Sequence, residues 1–213
     1  MIKAKFIHKD KFGKSELPID LTRVEFSGDE EIVEALNGVI NAVQFDRSRL
    51  CDYEQGFLCE QRMEKLSDIN AVRTEMYNLQ KSRRFPGLKI GATYARYKEL
   101  SDKLAFHEAE EQRIVGSIED LEEGRFYSRE ELRARFAKIL RSMGFECREA
   151  TTDKRGITTE SMESIVPDDE MRKIAAYNTT LLARDLDSKK QAIRKMYLGD
   201  MALESTGEMT LSD

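Results

Sequence analysis

Ala92–Glu122 reads ATYARYKELSDKLAFHEAEEQRIVGSIEDLE. Tyr97, Leu100, Leu104, His107, Glu111, Ile114, Ile118 and Leu121 follow one another at steps of three and four. That is the spacing of one face of an α-helix and of a heptad seam. The spacing predicts a helix from about Ala92 to Glu122, ending near Gly124. Upstream, Met63, Leu66, Ile69, Met76 and Leu79 form a looser apolar stripe. Two striped helices joined by a short Pro86-Gly87 connection make an antiparallel hairpin, and a coiled coil is the expected packing. Folding the chain about that connection places Arg62 opposite Glu111, so a cross-hairpin ion pair is expected there. A polar residue on an apolar seam fixes register or partner choice. Replacing Glu111 by Leu should therefore change stability or oligomeric state.

Outward from this stretch the same logic continues. Ser27 and Glu30 fit a capping box, with Asp29, Glu30 and Glu31 at the positive end of a helix dipole. Ile32, Leu36, Val39, Val43, Leu50, Tyr53 and Phe57 keep a helical stripe going, and helix could persist from about Gly28 to Ser82. A break or kink is expected between Gln44 and Gly56, since an interior glycine costs about 1 kcal/mol relative to alanine. Residues 1–27 alternate, with Phe6 and His8 on one face and Ile7 on the other, and predict a β-hairpin around Gly13 with Pro18 on an edge strand. Two strands alone are marginal and must pack on something. Ser128 and Glu131 make a second capping box ahead of an amphipathic helix closed by Gly144. FECREATT and ITTES, joined by DKRG, predict a short second hairpin. Pro167, Asp168, Asp169 and Glu170 open a last helix striped by Met171, Ile174, Leu181, Leu182, Leu186, Ile193 and Met196, and Gly199 closes it.

The expected fold is thus mainly α, or α+β with minor β. The expected segments are an N-terminal β-hairpin at 1–27, a long helical hairpin at 28–124, a C-terminal helical segment with a short β-hairpin at 125–199, and a mobile tail at 200–213. Composition agrees: charged residues make up 35% and Gly and Pro are few, as in long solvated helices. No apolar run is long enough for a membrane helix, and the N-terminus lacks the apolar core of a signal peptide, so a cytoplasmic protein is expected. Three cysteines without a CxxC spacing argue against a disulfide framework.

Chemistry-bearing motifs are absent. There is no phosphate-binding glycine loop, no G-x-S-x-G and no H-E-x-x-H. His8 and His107 are the only histidines, and the seam position of His107 favours a structural role. The acids at 168–170 are explained by the helix dipole. No catalytic residue, metal or cofactor is expected.

One stretch stands apart. Leu79–Lys98 carries Lys81, Arg83, Arg84, Lys89, Arg96 and Lys98 and no acid, in a chain of net charge -5. Lys81, Arg83 and Arg84 suit a helix C-terminus, where solvation alone explains them. Lys89, Arg96 and Lys98 lie at or near the start of the next helix, where the dipole gives no reason for cations. With Phe85, Leu88, Tyr94 and Tyr97 among them, these residues match the anchors of a protein interface steered toward an acidic partner. Phosphate binding with aromatic stacking on nucleic acid is the alternative. The seam residues Leu100, Leu104, His107, Glu111, Ile114, Ile118 and Leu121 are expected to support self-association, most simply as a dimer. The function expected is that of a non-enzymatic adaptor, scaffold-like assembly factor or inhibitor.

Overall fold

A computed structural model describes residues 1–9, 22–81 and 92–199. Helix takes up 73% of these residues, so the protein is mainly α with a small β component. The elements in chain order are β1 (Lys3–Lys9), β2 (Arg23–Ser27), α1 (Glu30–Lys81), α2 (Ala92–Glu123), α3 (Arg129–Ser142), β3 (Phe145–Thr152), β4 (Ile157–Ser164) and α4 (Asp168–Leu198). None of the described helices is long and apolar enough to cross a membrane. The expected turn at Gly13, the edge proline Pro18 and the tail 200–213 lie outside the described residues.

The chain divides into two units, Met1–Leu50 with the chain from Phe126 on, and Cys51–Arg125. The first is built on a four-stranded antiparallel sheet of order β2-β1-β4-β3. The two expected hairpins are therefore halves of one sheet, joined by β1 pairing with β4 from Lys3↔Glu163 to Lys9↔Ile157. This join supplies the support that an isolated hairpin lacks. Alternation places Ala4, Phe6 and His8 on the buried face of β1. Ala4 and Phe6 share a core with Ile32, Leu36, Val39, Ile40 and Val43 of α1, Leu132, Phe136 and Leu140 of α3, and Met171 and Ala175 of α4. The expected boundary at residue 28 does not fall there, because the first turns of α1 share one core with the sheet. Strand β3 is an outer strand with a bulge between Cys147 and Glu149 and charged side chains along it, features that discourage pairing with another chain.

Local sequence explains most element ends. Asp153 Oδ1 accepts from Arg155 N and Ile157 N at 2.8 and 2.9 Å, and Gly156 supplies the positive φ that closes the β3–β4 turn. The capping box of α3 is complete: Glu131 N donates to Ser128 Oγ at 3.2 Å and Ser128 N to Glu131 Oε2 at 2.8 Å. The box expected at Ser27 and Glu30 is corrected. Ser27 is the last residue of β2, paired with Lys3, and Asp29 caps α1 by accepting from Ile32 N at 3.3 Å. Gly28 joins strand to helix at φ +144°, where an added Cβ would lie 2.7 Å from Ile2 Cδ1.

Between Gln44 and Gly56 the helix is not broken, since α1 is one helical element. Cys51 and Leu58 are buried on either side of Gly56, and burial of a large side chain is worth about 1.5–3 kcal/mol, more than the glycine costs. Helix α4 buries only Met171 and Ala175 fully; Leu181 and Met196 of its expected stripe are exposed.

Candidate interaction surface

Within the second unit α1 and α2 run antiparallel, because their contacts descend along one helix as they ascend along the other. Cys51 Sγ donates to Leu121 O at 3.3 Å, Arg62 Nε to Glu111 Oε1 at 2.7 Å, and Arg73 to Glu108 at 2.8 Å. Farther along, Arg96 reaches Glu75 at 2.8 Å and Gln80 Nε2 reaches the Tyr97 hydroxyl at 3.2 Å. The Arg62–Glu111 pair is the one that the seam register required.

Leu100, His107 and Glu111 are buried, and Leu104, Ile114, Ile118 and Leu121 are half-buried. The contacts that reach this row come from α1 of the same chain. His107 Nδ1 lies 3.6 Å from Asp68 Oδ2, an ion-pair distance too long for a hydrogen bond. On α1 the buried partners are Cys51, Leu58, Ile69 and Val72. Met63, part of the expected stripe, is 67% exposed, because it sits one residue off the row through Leu58, Arg62, Ile69 and Val72. Burial raises the Cys51 thiol pKa, with Glu122 and Glu54 adding to the effect and Arg125 opposing it. A thiol held protonated in this way is a poor nucleophile.

The cationic stretch is described at both its ends. Lys81 closes α1 and is exposed, as are Tyr94 and Lys98 on α2. Tyr97 is half-buried and held by Gln80. Arg83, Arg84, Phe85, Leu88 and Lys89 lie outside the described residues. Arg96 is exposed on α2 and ion-paired. It donates to Glu75 and to Glu99, the two acids that bracket the stretch, and both raise its pKa.

Compared with known proteins, the chain matches no family model, no curated protein and no solved structure.

The first unit holds a polar cluster that sequence reading missed. Asp46 is buried and accepts from Arg135 at 2.6 Å and from the Tyr127 hydroxyl. The Arg47 and Arg135 guanidiniums lie 4.1 and 4.3 Å from the Tyr127 ring centroid. Arg47 also reaches Phe126 O at 3.2 Å and both oxygens of Glu131 at 3.1 and 3.3 Å. The Ser128 N–H first, then Arg47, hold the Glu131 carboxyl below its ordinary range. The cluster ties the start of α3 to α1. The one local signal was that Asp46 interrupts the apolar row at the step after Val43. Among the described residues, no group of His, Cys, Asp and Glu could hold a metal ion.

Burial first, then the hydrogen bond to Asp46, push the Tyr127 phenol from its ordinary 10 up to about 12. A folded-state pKa above the unfolded one gives stability that is whole below pH 10 and is lost as pH rises toward about 12. Tyr127→Phe should flatten that part of the alkaline slope when urea midpoints are measured against pH. Identical slopes in both proteins would disprove it.

Proposed function

We propose that the chain is a non-enzymatic interaction or assembly protein, an adaptor, scaffold-like factor or inhibitor. It meets an acidic protein surface through the cations and aromatics of residues 79–98. The C-terminal half of α1 and α2 form the antiparallel coiled-coil hairpin that carries them. One observation supports this reading above others: Gln80 bonded to Tyr97, backed by Arg96 on Glu75, holds the last turn of α1 beside the first turns of α2. Exposed Lys81, Tyr94 and Lys98 therefore flank residues 82–91 from both helices.

Exposed aromatics supply anchoring area, and surrounding cations steer encounter with an acidic surface. With Arg96 paired, the remaining cations of the stretch in sequence are Lys81, Arg83, Arg84, Lys89 and Lys98. That number suits steering better than phosphate binding, which is the second reading for this stretch. A homodimer belongs to the same proposal. Leu100, His107 and Glu111 already face α1 of their own chain, so its apolar contacts fall to Met63, Tyr77 and Phe106, all exposed.

The test replaces the five cations by Ser and keeps Arg96, whose loss would unpair two carboxylates. A photo-crosslinker at position 94 should capture a protein partner from the producing cell with the native cations and lose it with the five serines. Oligonucleotide affinity should be the same in both proteins. Salt-steep oligonucleotide binding that vanishes in the five-serine protein would instead establish the nucleic-acid reading. If the serines change neither readout, these charges only solvate helix ends.

A further inference from the structure

The N-terminal ends of α1 and α4 lie side by side in the first unit. Arg172 of α4 ties them, with Nη2 3.3 Å from Glu31 Oε2 and 3.9 Å from Asp29 Oδ1. Both helices open on acids. Asp29, Glu30 and Glu31 start α1, with Glu34 one turn on, and Asp168, Asp169 and Glu170 start α4. Asp29 and Glu31 share Arg172, and Asp168 holds the Met1 amine. Glu30, Glu34, Asp169 and Glu170 are exposed and have no ion-pair partner among the described residues.

The helix dipole accounts for acids in a first turn but falls off beyond it, so it gives no reason for Glu34. Each dipole end carries about half a charge, and the two together offset only about one of the four open carboxylates. Ile165 comes three residues before α4 and is 55% exposed, so an apolar side chain stands close in the chain to these acids. A cationic surface with aromatic anchors complements such an end, and this chain carries one. The net charge is -5, of which residues 79–98 contribute +6, so the remainder carries -11. Beside the paired Arg96 the stretch has five cations in sequence, close in number to the four open carboxylates. Among its described members Lys81, Tyr94 and Lys98 are exposed. Opposite potentials of matched size steer two surfaces together and fix their register.

Given the partner surface proposed above for residues 79–98, on which this step rests, we infer that its acidic partner is a second copy of the chain. The cationic stretch of one copy docks on the joined N-terminal ends of α1 and α4 of the next. Lys173, one turn on from Asp169 and Glu170, opposes the contact and limits it. Such a contact is heterologous. Each pair leaves one free surface of either kind, so copies add head to tail.

Two full-length variants, each lacking one surface, supply the test. One is the five-serine protein. The other carries Glu30→Gln, Glu34→Gln, Asp169→Asn and Glu170→Gln and should keep the wild-type helix content. Each is fluorescently labelled and titrated with itself and with the other at low salt, with anisotropy as the readout. In the mixed pair one copy supplies cations and the other acids. It should bind about tenfold or more tighter than either self-pair, the sum of four exposed ion pairs. That advantage should vanish near about 1 M salt, where the Debye length is about 3 Å. In sedimentation velocity the mixed pair should stop at a dimer, and the wild type should grow past it. Adding Lys173→Gln to the five-serine protein should tighten the mixed pair further, a gain that misfolding does not produce. Equal affinity in all three pairings would overturn the inference, because a dimer through Met63, Tyr77 and Phe106 alone gives that result. So would a wild type that stays monomeric at low salt. If the crosslinker at position 94 captures another protein while the mixed pair shows no advantage, the partner surface stands and its assignment to a second copy fails.

Discussion

Asp46→Ala should destabilise the first unit by about 3 kcal/mol or more, the loss typical of a buried ion pair stripped of one partner. Asp46 is 7% exposed, and its carboxylate serves both the Arg135 guanidinium and the Tyr127 hydroxyl. Removing it leaves a half-buried cation and a buried-side phenol with no acceptor, and leaves Arg135 beside Arg47 over one ring. Arg135 Nε already has no hydrogen-bond partner among the described residues, so the guanidinium has little else to fall back on. The observable is the urea midpoint of far-UV circular dichroism. With slopes of about 1–3 kcal/mol per molar urea, the midpoint should fall by about 1 M or more. Asp46→Asn keeps the shape and an acceptor and should lose less than Asp46→Ala. A double-mutant cycle with Arg135→Ala should show strong coupling, because the second change removes the stranded charge. Additive losses would mean that the pair contributes nothing specific.

Arg62→Ala should cost the second unit about 3 kcal/mol, whereas Glu111→Leu should cost little or even stabilise it. The asymmetry follows from burial. The Glu111 side chain is 9% exposed and that of Arg62 is 45% exposed. Without Arg62 a buried carboxylate keeps, among the described residues, only the Gln112 amide at 3.2 Å. Without Glu111 the guanidinium turns to water, and leucine fills a seam position between buried neighbours. Stability should therefore rank Glu111→Leu well above Arg62→Ala. Glu111→Leu should also loosen the choice of register or oligomeric state, which sedimentation of that variant would report. The reverse order, with Arg62→Ala harmless, would show that Glu111 is hydrated in solution and that the pair does not set the register.

Several features could be read from the chain because their causes lie within a few residues. Ser128 with Glu131, Gly156 in its turn and Gly199 after α4 each satisfy backbone groups of their own segment. The row from Tyr97 to Leu121 repeats over several turns, and the Arg62–Glu111 pair followed once the chain was folded about Pro86-Gly87. Met63 was misread because a loose stripe admits two rows a residue apart, and only the partner helix chooses between them. Ser27 was misread because its backbone was claimed by a strand partner before the helix could use it.

The candidate surface was legible as composition, six cations without an acid, but its charge was not. Glu75 and Glu99 lie just outside the stretch in sequence; Glu99 reaches Arg96 within one turn of α2, and Glu75 reaches it only when the helices come together.

By itself, then, the sequence determined where helices begin and end and which row of α2 faces inward, because capping and periodicity act over one or two turns. Tertiary structure decided that residues Lys3–Lys9 of β1 pair with Ile157–Glu163 of β4, far away in sequence, to make one sheet, that α1 continues through Gly56, and that Asp46, Tyr127 and Arg135 meet. A strand edge, a buried row and a lone buried carboxylate each offer bonds to any suitable partner. The partner is selected by which arrangement buries most apolar surface while leaving no polar group unpaired.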